Sequence, residues 1–65
     1  MWLRFKTNKD EYAKVNLEYV QVIYFLKDLA YLCFSAEEND YMTVKREYND
    51  NFDEIVDKLM GLQEV

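Results

Sequence analysis

The chain has 65 residues, a length that supports one small domain, so we expect a single domain over residues 1–65. Hydrophobic residues make up 51% of the sequence and charged residues 32%, a balance typical of a soluble protein with a core. It contains no histidine and only one cysteine, which excludes an internal disulfide, a structural zinc site and Ser–His or Cys–His nucleophiles. We therefore predict a non-enzymatic protein without a metal or cofactor.

The charge balance narrows the class of partner. Thirteen Asp and Glu residues against eight Lys and Arg give a net charge of −5. Nucleic-acid binding needs a basic surface that displaces phosphate counterions, so direct binding to DNA or RNA is not expected, and neither is an anionic membrane. The start of the chain is not expected to be a signal peptide, and its apolar runs, such as 22–26, are far shorter than the roughly 20 residues that span a bilayer. We expect a cytoplasmic protein.

Most of the chain shows the patterns of short β-strands. Residues 2–6 and 12–17 alternate between apolar and polar side chains, which indicates strands with one buried face. Residues 19–25 are rich in β-branched and aromatic types and predict a central strand. The predicted strands are 2–6, 12–17, 19–25, 29–35 and 41–45, with turns at 7–10, 27–28 and 37–40.

The last third of the chain changes to a helical period. Five apolar residues fall on one stripe of a helix: Phe52, Ile55, Val56, Leu59 and Met60. Residues 49–51 offer N-cap side chains, and Asn51 with Glu54 has capping-box spacing. Lys58 is expected in the last turn, and Gly61 is expected to follow the helix as a residue able to take a positive φ.

Two folds are compatible with these patterns. The favoured one is an α+β fold, in which a small antiparallel β-meander of four or five strands carries one C-terminal helix across one face. The alternative is an all-α helical hairpin that forms a dimeric four-helix bundle, since seven residues have heptad spacing: Tyr12, Val15, Tyr19, Val22, Leu26, Leu29 and Cys33. The meander is favoured because Gln21 is the one good helix former in 19–25.

The high aromatic content of the chain predicts that the protein associates with a partner. Eleven aromatic residues give a 17% share, and the strands around residues 22–33 are apolar on both faces. A single helix covers only one face of a sheet, so the other face needs a partner, either a second copy or a target protein. We expect a homo-oligomer, with an interface at Val22, Tyr24 and Tyr31.

Carboxylates form two predicted clusters that would face a partner. One lies on the solvent side of the helix (Asp50, Asp53, Glu54 and Asp57), and the other lies in a loop (Glu37, Glu38 and Asp40). Each cluster is either a solvated surface or an imitation of spaced DNA phosphates that occupies a basic groove on another protein. A calcium loop starting at Asn49 is excluded because its sixth and twelfth positions are Glu54 and Met60.

Two further residue types have a structural and a functional interpretation. Cys33 has no histidine to activate it and is expected to be a small buried hydrophobe. Arg4 and Arg46, the two arginines of the chain, are expected to form ion bridges. If the first and last strands were neighbours, they would instead form a small anion pocket.

Residues 15–23 carry a resemblance to known proteins. Their sequence, Val-Asn-Leu-Glu-Tyr-Val-Gln-Val-Ile, is similar to a strand that ends in an Asn-Leu-acidic corner and re-enters the sheet. The whole chain resembles small phage and prophage proteins of Gram-positive bacteria, and its layout is similar to that of flagellar FlbD-type proteins. The resemblance implies a β-meander with a C-terminal helix and, if the protein is phage-encoded, a place in the host cytoplasm.

Charge and resemblance together suggest a function. The favoured hypothesis is a small acidic binding protein of the phage-inhibitor type, which binds and blocks a bacterial host or defence protein. One alternative is a structural or assembly subunit that acts through self-association. Another is a sponge for a small nucleotide signal, bound at an oligomer interface by Arg4, Arg46, lysines and tyrosines.

Overall fold

Five antiparallel strands and a C-terminal helix form the protein in a computed structural model that describes residues 1–63. The elements are β1 (Trp2–Asn8), β2 (Glu11–Asn16), β3 (Val22–Phe25), β4 (Leu29–Cys33), β5 (Tyr41–Lys45) and α1 (Phe52–Gln63). Short 3-10 helices follow β2, at Leu17–Tyr19, and β5, at Arg46–Tyr48. The α+β prediction is confirmed, and the helical hairpin is wrong because the segment from β2 to β4 pairs as strands.

The strands form a hairpin and a separate three-stranded sheet. β1 pairs with β2, and the second sheet has the order β3-β4-β5, so β4 is its central strand and β3 lies at an edge. The prediction of a central strand over 19–25 is therefore wrong. The late start of this strand is explained by Asn16, because its side chain accepts a hydrogen bond from the Glu18 N–H and starts the 3-10 turn that withdraws residues 17–19 from the sheet.

One core joins the hairpin, the sheet and the helix. Strand side chains alternate between faces, and the inward positions of every layer meet in it. Its buried members are Leu3, Phe5, Val15, Leu17, Ala30, Leu32, Val44, Phe52, Ile55 and Leu59. The predicted helix stripe is confirmed for these last three and for half-buried Val56, whereas Met60 is 47% exposed and lies outside the core.

The helix ends later than its sequence predicts. It continues through Gly61 to Gln63, and Gly61 does not take a positive φ. The prediction of Gly61 as a terminating residue is therefore wrong, and Lys58 does not lie in the last turn. Glycine permits a left-handed conformation without requiring it, and in a helix it costs about 1 kcal/mol relative to alanine.

Buried Asn49 links the two sheets. Its side-chain oxygen accepts a hydrogen bond from the Lys6 N–H (2.8 Å), and its amide nitrogen donates to the carbonyl oxygens of Lys6 (3.0 Å) and Lys45 (2.9 Å). The amide thereby replaces the strand pairing that is missing between β1 and the end of β5. Asn49 was one of the predicted N-cap residues, but its side chain is directed to these strands.

Candidate functional site

The outer sheet face is the surface of β3, β4 and β5 that points away from the core. Strand pairing places its residues in three cross-strand rows: Val22, Cys33 and Tyr41; Tyr24, Tyr31 and Thr43; Leu29 and Lys45. The opposite face of the same strands contains fully buried Ala30, Leu32 and Val44. By contrast, Val22, Tyr24 and Tyr41 are 41%, 58% and 46% exposed. A sheet of three strands therefore presents one covered face and one open apolar face.

The three residues predicted for the oligomer interface all lie on the outer sheet face. Tyr24 is directly opposite Tyr31, and Val22 is opposite Cys33 in the next row. Sequence reasoning missed Tyr41, whose ring packs edge-to-face on Tyr31 with centroids 5.4 Å apart. Side chains alternate along β5, so the burial of Val44 on one face places Tyr41 on the other. The strand pattern of the sequence was therefore enough to predict the position of Tyr41.

Cys33 also belongs to the outer sheet face. The expectation that it is buried is wrong, since its side chain is only partly covered. The inward positions of β4 are Ala30 and Leu32, and a period of two places residue 33 on the other side.

The two ends of the outer sheet face differ in charge. At the end near Tyr41, the β4–β5 loop carries the predicted acidic cluster of Glu37, Glu38 and Asp40, and all three are exposed. Backbone hydrogen bonds hold this loop, including one from the Phe34 N–H to the Asp40 oxygen (3.0 Å). At the other end lie Lys27 and Lys45, neither of which forms an ion pair within residues 1–63.

The second acidic cluster lies around the start of α1. Asp50, Asp53, Glu54 and Asp57 are all exposed, as the sequence predicts. Their charges are not equally free, because the Asp53 carboxylate accepts a hydrogen bond from Arg46 (3.0 Å). Glu54 shares a groove with Arg4 and Lys58.

Arg46 connects the β3–β4 turn to the helix. It bonds Asp28 through Nε (2.8 Å) and Asp53 through Nη2 (3.0 Å), and its guanidinium lies 4.6 Å from the ring centre of Phe52. The hydrogen bonds to Asp53 and Asp28 raise the pKa of Arg46 above its ordinary value. The prediction of an ion-bridging arginine is thus confirmed for Arg46.

Arg4 has a different environment from Arg46. It lies over the ring of Tyr12, with the guanidinium carbon 4.3 Å from the ring centre. The two arginines line separate grooves, so a shared anion pocket does not form in the described part of the chain.

Two general properties of residues 1–63 bear on function. No group of three or more cysteine, histidine or carboxylate side chains in this range is placed to hold a metal ion. Nor does any helix within it have the length and apolar character needed to cross a membrane.

Comparisons with protein-family models, curated proteins and solved structures found no match to this chain. The resemblance to phage proteins therefore stays a prediction.

Proposed function

We propose that this chain is a small non-enzymatic binding protein that forms a homodimer through its outer sheet face. The observation that supports this proposal is the exposure of Val22, Tyr24 and Tyr41 on one side of a three-stranded sheet. Contiguous exposed apolar surface on a small protein is typical of an interaction site. Tyrosine suits such a site because it contributes a large apolar ring together with a hydroxyl that tolerates water before the partner binds.

A second copy of the chain fits this face by charge. In a twofold interface a surface contacts its own equivalent, so a strongly charged face would repel itself. Lys45 is the one charged residue among the eight positions of the outer sheet face, although the whole chain has a net charge of −5. A domain of this size buries only about 60% of its unfolded surface on folding, less than a larger domain does, so association would add stability.

The charged ends favour one orientation of the two copies. Suppose that the twofold axis lies in the interface and runs across the strands. The acidic loop of one copy, at Glu37 and Glu38, then faces the end of the other copy that carries Lys27 and Lys45. This antiparallel stacking pairs opposite charges at both rims, whereas a parallel stacking would place like charges together.

The dimer leaves the acidic helix surface free for a second protein. Because Arg46 compensates Asp53, the carboxylates available there are Asp50, Glu54 and Asp57. Their partner would be a bacterial host or defence protein with a basic groove, which the protein would block. The resemblance to phage proteins supports this choice of partner. Without such a partner, the dimer itself would be the function, as in a structural or assembly subunit.

The outer sheet face is tested by single substitutions. Changing Tyr24 or Tyr31 to glutamate should weaken dimerisation by about thirtyfold or more, the effect of losing an interface hot spot of about 2 kcal/mol. Sedimentation measures the assembly, and circular dichroism shows that each copy stays folded. Tyr19, which is 72% exposed and lies outside β3, provides the matched control Tyr19→Glu. The proposal fails if Tyr24→Glu stays dimeric or if Tyr19→Glu dissociates equally.

The acidic helix surface is tested by charge reversal. The double variant Asp50→Lys, Asp57→Lys should no longer retain a host protein that the wild type captures from a bacterial lysate. Its free energy of unfolding should change by no more than about 0.5 kcal/mol per site, because exposed charges contribute little to folding. The control reverses two exposed carboxylates elsewhere, Asp10 and Glu18. Capture that is unchanged by the helix reversals, or that is lost equally in the control, would contradict the inhibitor role.

A further inference from the structure

The outward surface of the β1–β2 hairpin concentrates positive charge on an acidic protein. This hairpin face consists of Trp2, Arg4 and Lys6 from β1 and Tyr12 and Lys14 from β2, and it contains no carboxylate. Within residues 1–63, none of its three cations forms an ion pair. Both aromatic rings are more than half exposed. The hairpin face is therefore positively charged, although the whole chain has a negative net charge.

Stability alone does not account for this arrangement. Arg4 is directly opposite Lys14 in the strand pairing, and like charges at such positions destabilise a hairpin. The rings offset part of the repulsion, since Lys14 lies 5.5 Å from the ring centre of Trp2 and Arg4 lies over Tyr12. Positions that break a local rule of stability are expected where a function requires them.

A groove with a volume of about 370 Å³ lies beside the hairpin face. It is lined from the hairpin by Arg4, Phe5, Lys6 and Tyr12, and from the segment before the helix by Tyr48, Asn49, Asp50 and Asn51. The hydrogen bonds of buried Asn49 to the Lys6 backbone hold these two walls together. Grooves of this volume accommodate small organic ligands.

We propose that this groove binds a free mononucleotide. Arg4 and Lys6 are on the same side of β1 and would hold the phosphate by charge-assisted hydrogen bonds. A phosphate that draws these cations away from the ring of Tyr12 leaves that ring able to stack on the base. The Asp50 carboxylate and the Asn51 amide provide hydrogen-bond partners for the sugar or the edge of the base.

The occupant is a single nucleotide and not a nucleic-acid strand. A strand would extend its phosphates beyond the three cations of the hairpin face over a protein whose net charge is −5, and this repulsion opposes its binding. Arg46 has no part in this site, because Asp28 and Asp53 engage it. The site is complete within one protomer, so its test does not depend on the proposed dimer.

Titration of the isotope-labelled protein with AMP, followed by NMR, tests the site. We expect AMP to shift the backbone amides of β1, β2 and residues 48–51, and to bind more tightly than adenosine or inorganic phosphate alone. Arg4→Gln should weaken AMP binding by about tenfold, as expected for one charge-assisted contact. Tyr12→Leu should weaken AMP binding without weakening the binding of inorganic phosphate, because the ring then no longer competes with phosphate for Arg4 and Lys6. Lys27→Gln, which removes an exposed charge outside the groove, is the matched control and should bind AMP like the wild type.

Three results would overturn the proposal. The first is that AMP shifts no coherent set of groove residues at millimolar concentration. The second is that Arg4→Gln and Lys27→Gln weaken binding equally, which would indicate a general charge effect. The third is that a short single-stranded oligothymidylate binds more tightly than any mononucleotide, which would assign the hairpin face to a strand. The amide spectrum of each variant shows whether it is folded, and Lys6→Gln replaces Arg4→Gln if the latter is not.

Discussion

Replacing Asn49 with alanine should lower the free energy of unfolding by about 3 kcal/mol. Asn49 is 5% exposed, and its side chain makes three hydrogen bonds to the backbone of Lys6 and Lys45. Without it, the Lys6 N–H and two carbonyl oxygens lose their partners in a partly buried position, and each unsatisfied group costs roughly 1–3 kcal/mol less the contribution of any water that enters. Since a domain of this size is stable by only about 3–10 kcal/mol, the variant should be largely unfolded at moderate temperature.

Urea denaturation followed by circular dichroism measures the effect of Asn49→Ala. Asn51→Ala is the matched control, because it removes the same amide from an exposed position two residues later. We expect the control to lose no more than about 1 kcal/mol, the usual contribution of a helix-capping side chain. Equal losses in the two variants would show that the Asn49 amide does not hold the two sheets together.

Replacing Phe52 with alanine should lower the free energy of unfolding by about 4 kcal/mol. Truncation of a buried aromatic residue removes its transfer free energy and leaves a cavity, with typical losses of about 3–5 kcal/mol. The Phe52 ring is among the fully buried side chains at the junction of the helix and the strands, and it also supports the Arg46 guanidinium. Arg46 links Asp28 and Asp53, so this variant should loosen the β3–β4 turn as well.

Met60→Ala is the comparison for Phe52→Ala on the same helix. Met60 belongs to the apolar stripe that the sequence predicts, but it is 47% exposed. Its truncation should therefore lower the free energy of unfolding by less than about 1 kcal/mol, since only a small area of its side chain is buried on folding. The assignment of the buried helix side would be wrong if urea denaturation gave Met60→Ala the larger loss.

Local periodicity was sufficient to predict the class of the fold. Residues 2–6 and 41–45 were predicted as strands because each segment buries one face. The burial of one face produces an alternation of apolar and polar residues that can be recognised within a few residues of sequence. The same holds for Phe52, Ile55 and Leu59, whose spacing is set by a single helix. The role of Asn49 could not be predicted in this way, because it depends on a contact with Lys6, 43 residues earlier in the chain.

The errors at the ends of elements arise where two local preferences compete. At Leu17 the apolar pattern continues a strand, but the Asn16 side chain stabilises a turn and the buried Leu17 fixes it. At Gly61 the residue type favours termination, but the backbone continues as helix to Gln63. Sequence patterns identify the competing preferences without determining which one prevails.

The candidate sites were predicted unevenly for a similar reason. Alternation along β3 and β4 was enough to place Val22, Tyr24 and Tyr31 on one apolar surface. The total charge of the chain does not predict the hairpin face, because a local surface can have the sign opposite to that of the whole protein. A count by segment would have shown it, since residues 1–16 contain four Lys and Arg but only two Asp and Glu.

The proposed antiparallel arrangement of two copies predicts a specific effect of charge reversal at the ends of the outer sheet face. Lys45→Glu places a carboxylate opposite the acidic loop of the partner subunit and should weaken dimerisation. Adding Glu38→Lys to the same chain restores opposite charges at both rims and should recover most of the loss. Recovery in this double variant would show that the two ends of the outer sheet face lie close together across the interface.

Sedimentation equilibrium of the unmodified protein, from low to high micromolar concentration, tests the central claim most directly. The outer sheet face predicts a reversible monomer–dimer equilibrium, with a dimer mass at high concentration that Tyr24→Glu converts to a monomer mass. A wild-type protein that stays monomeric over the whole range would contradict the proposal that the outer sheet face is a self-association surface.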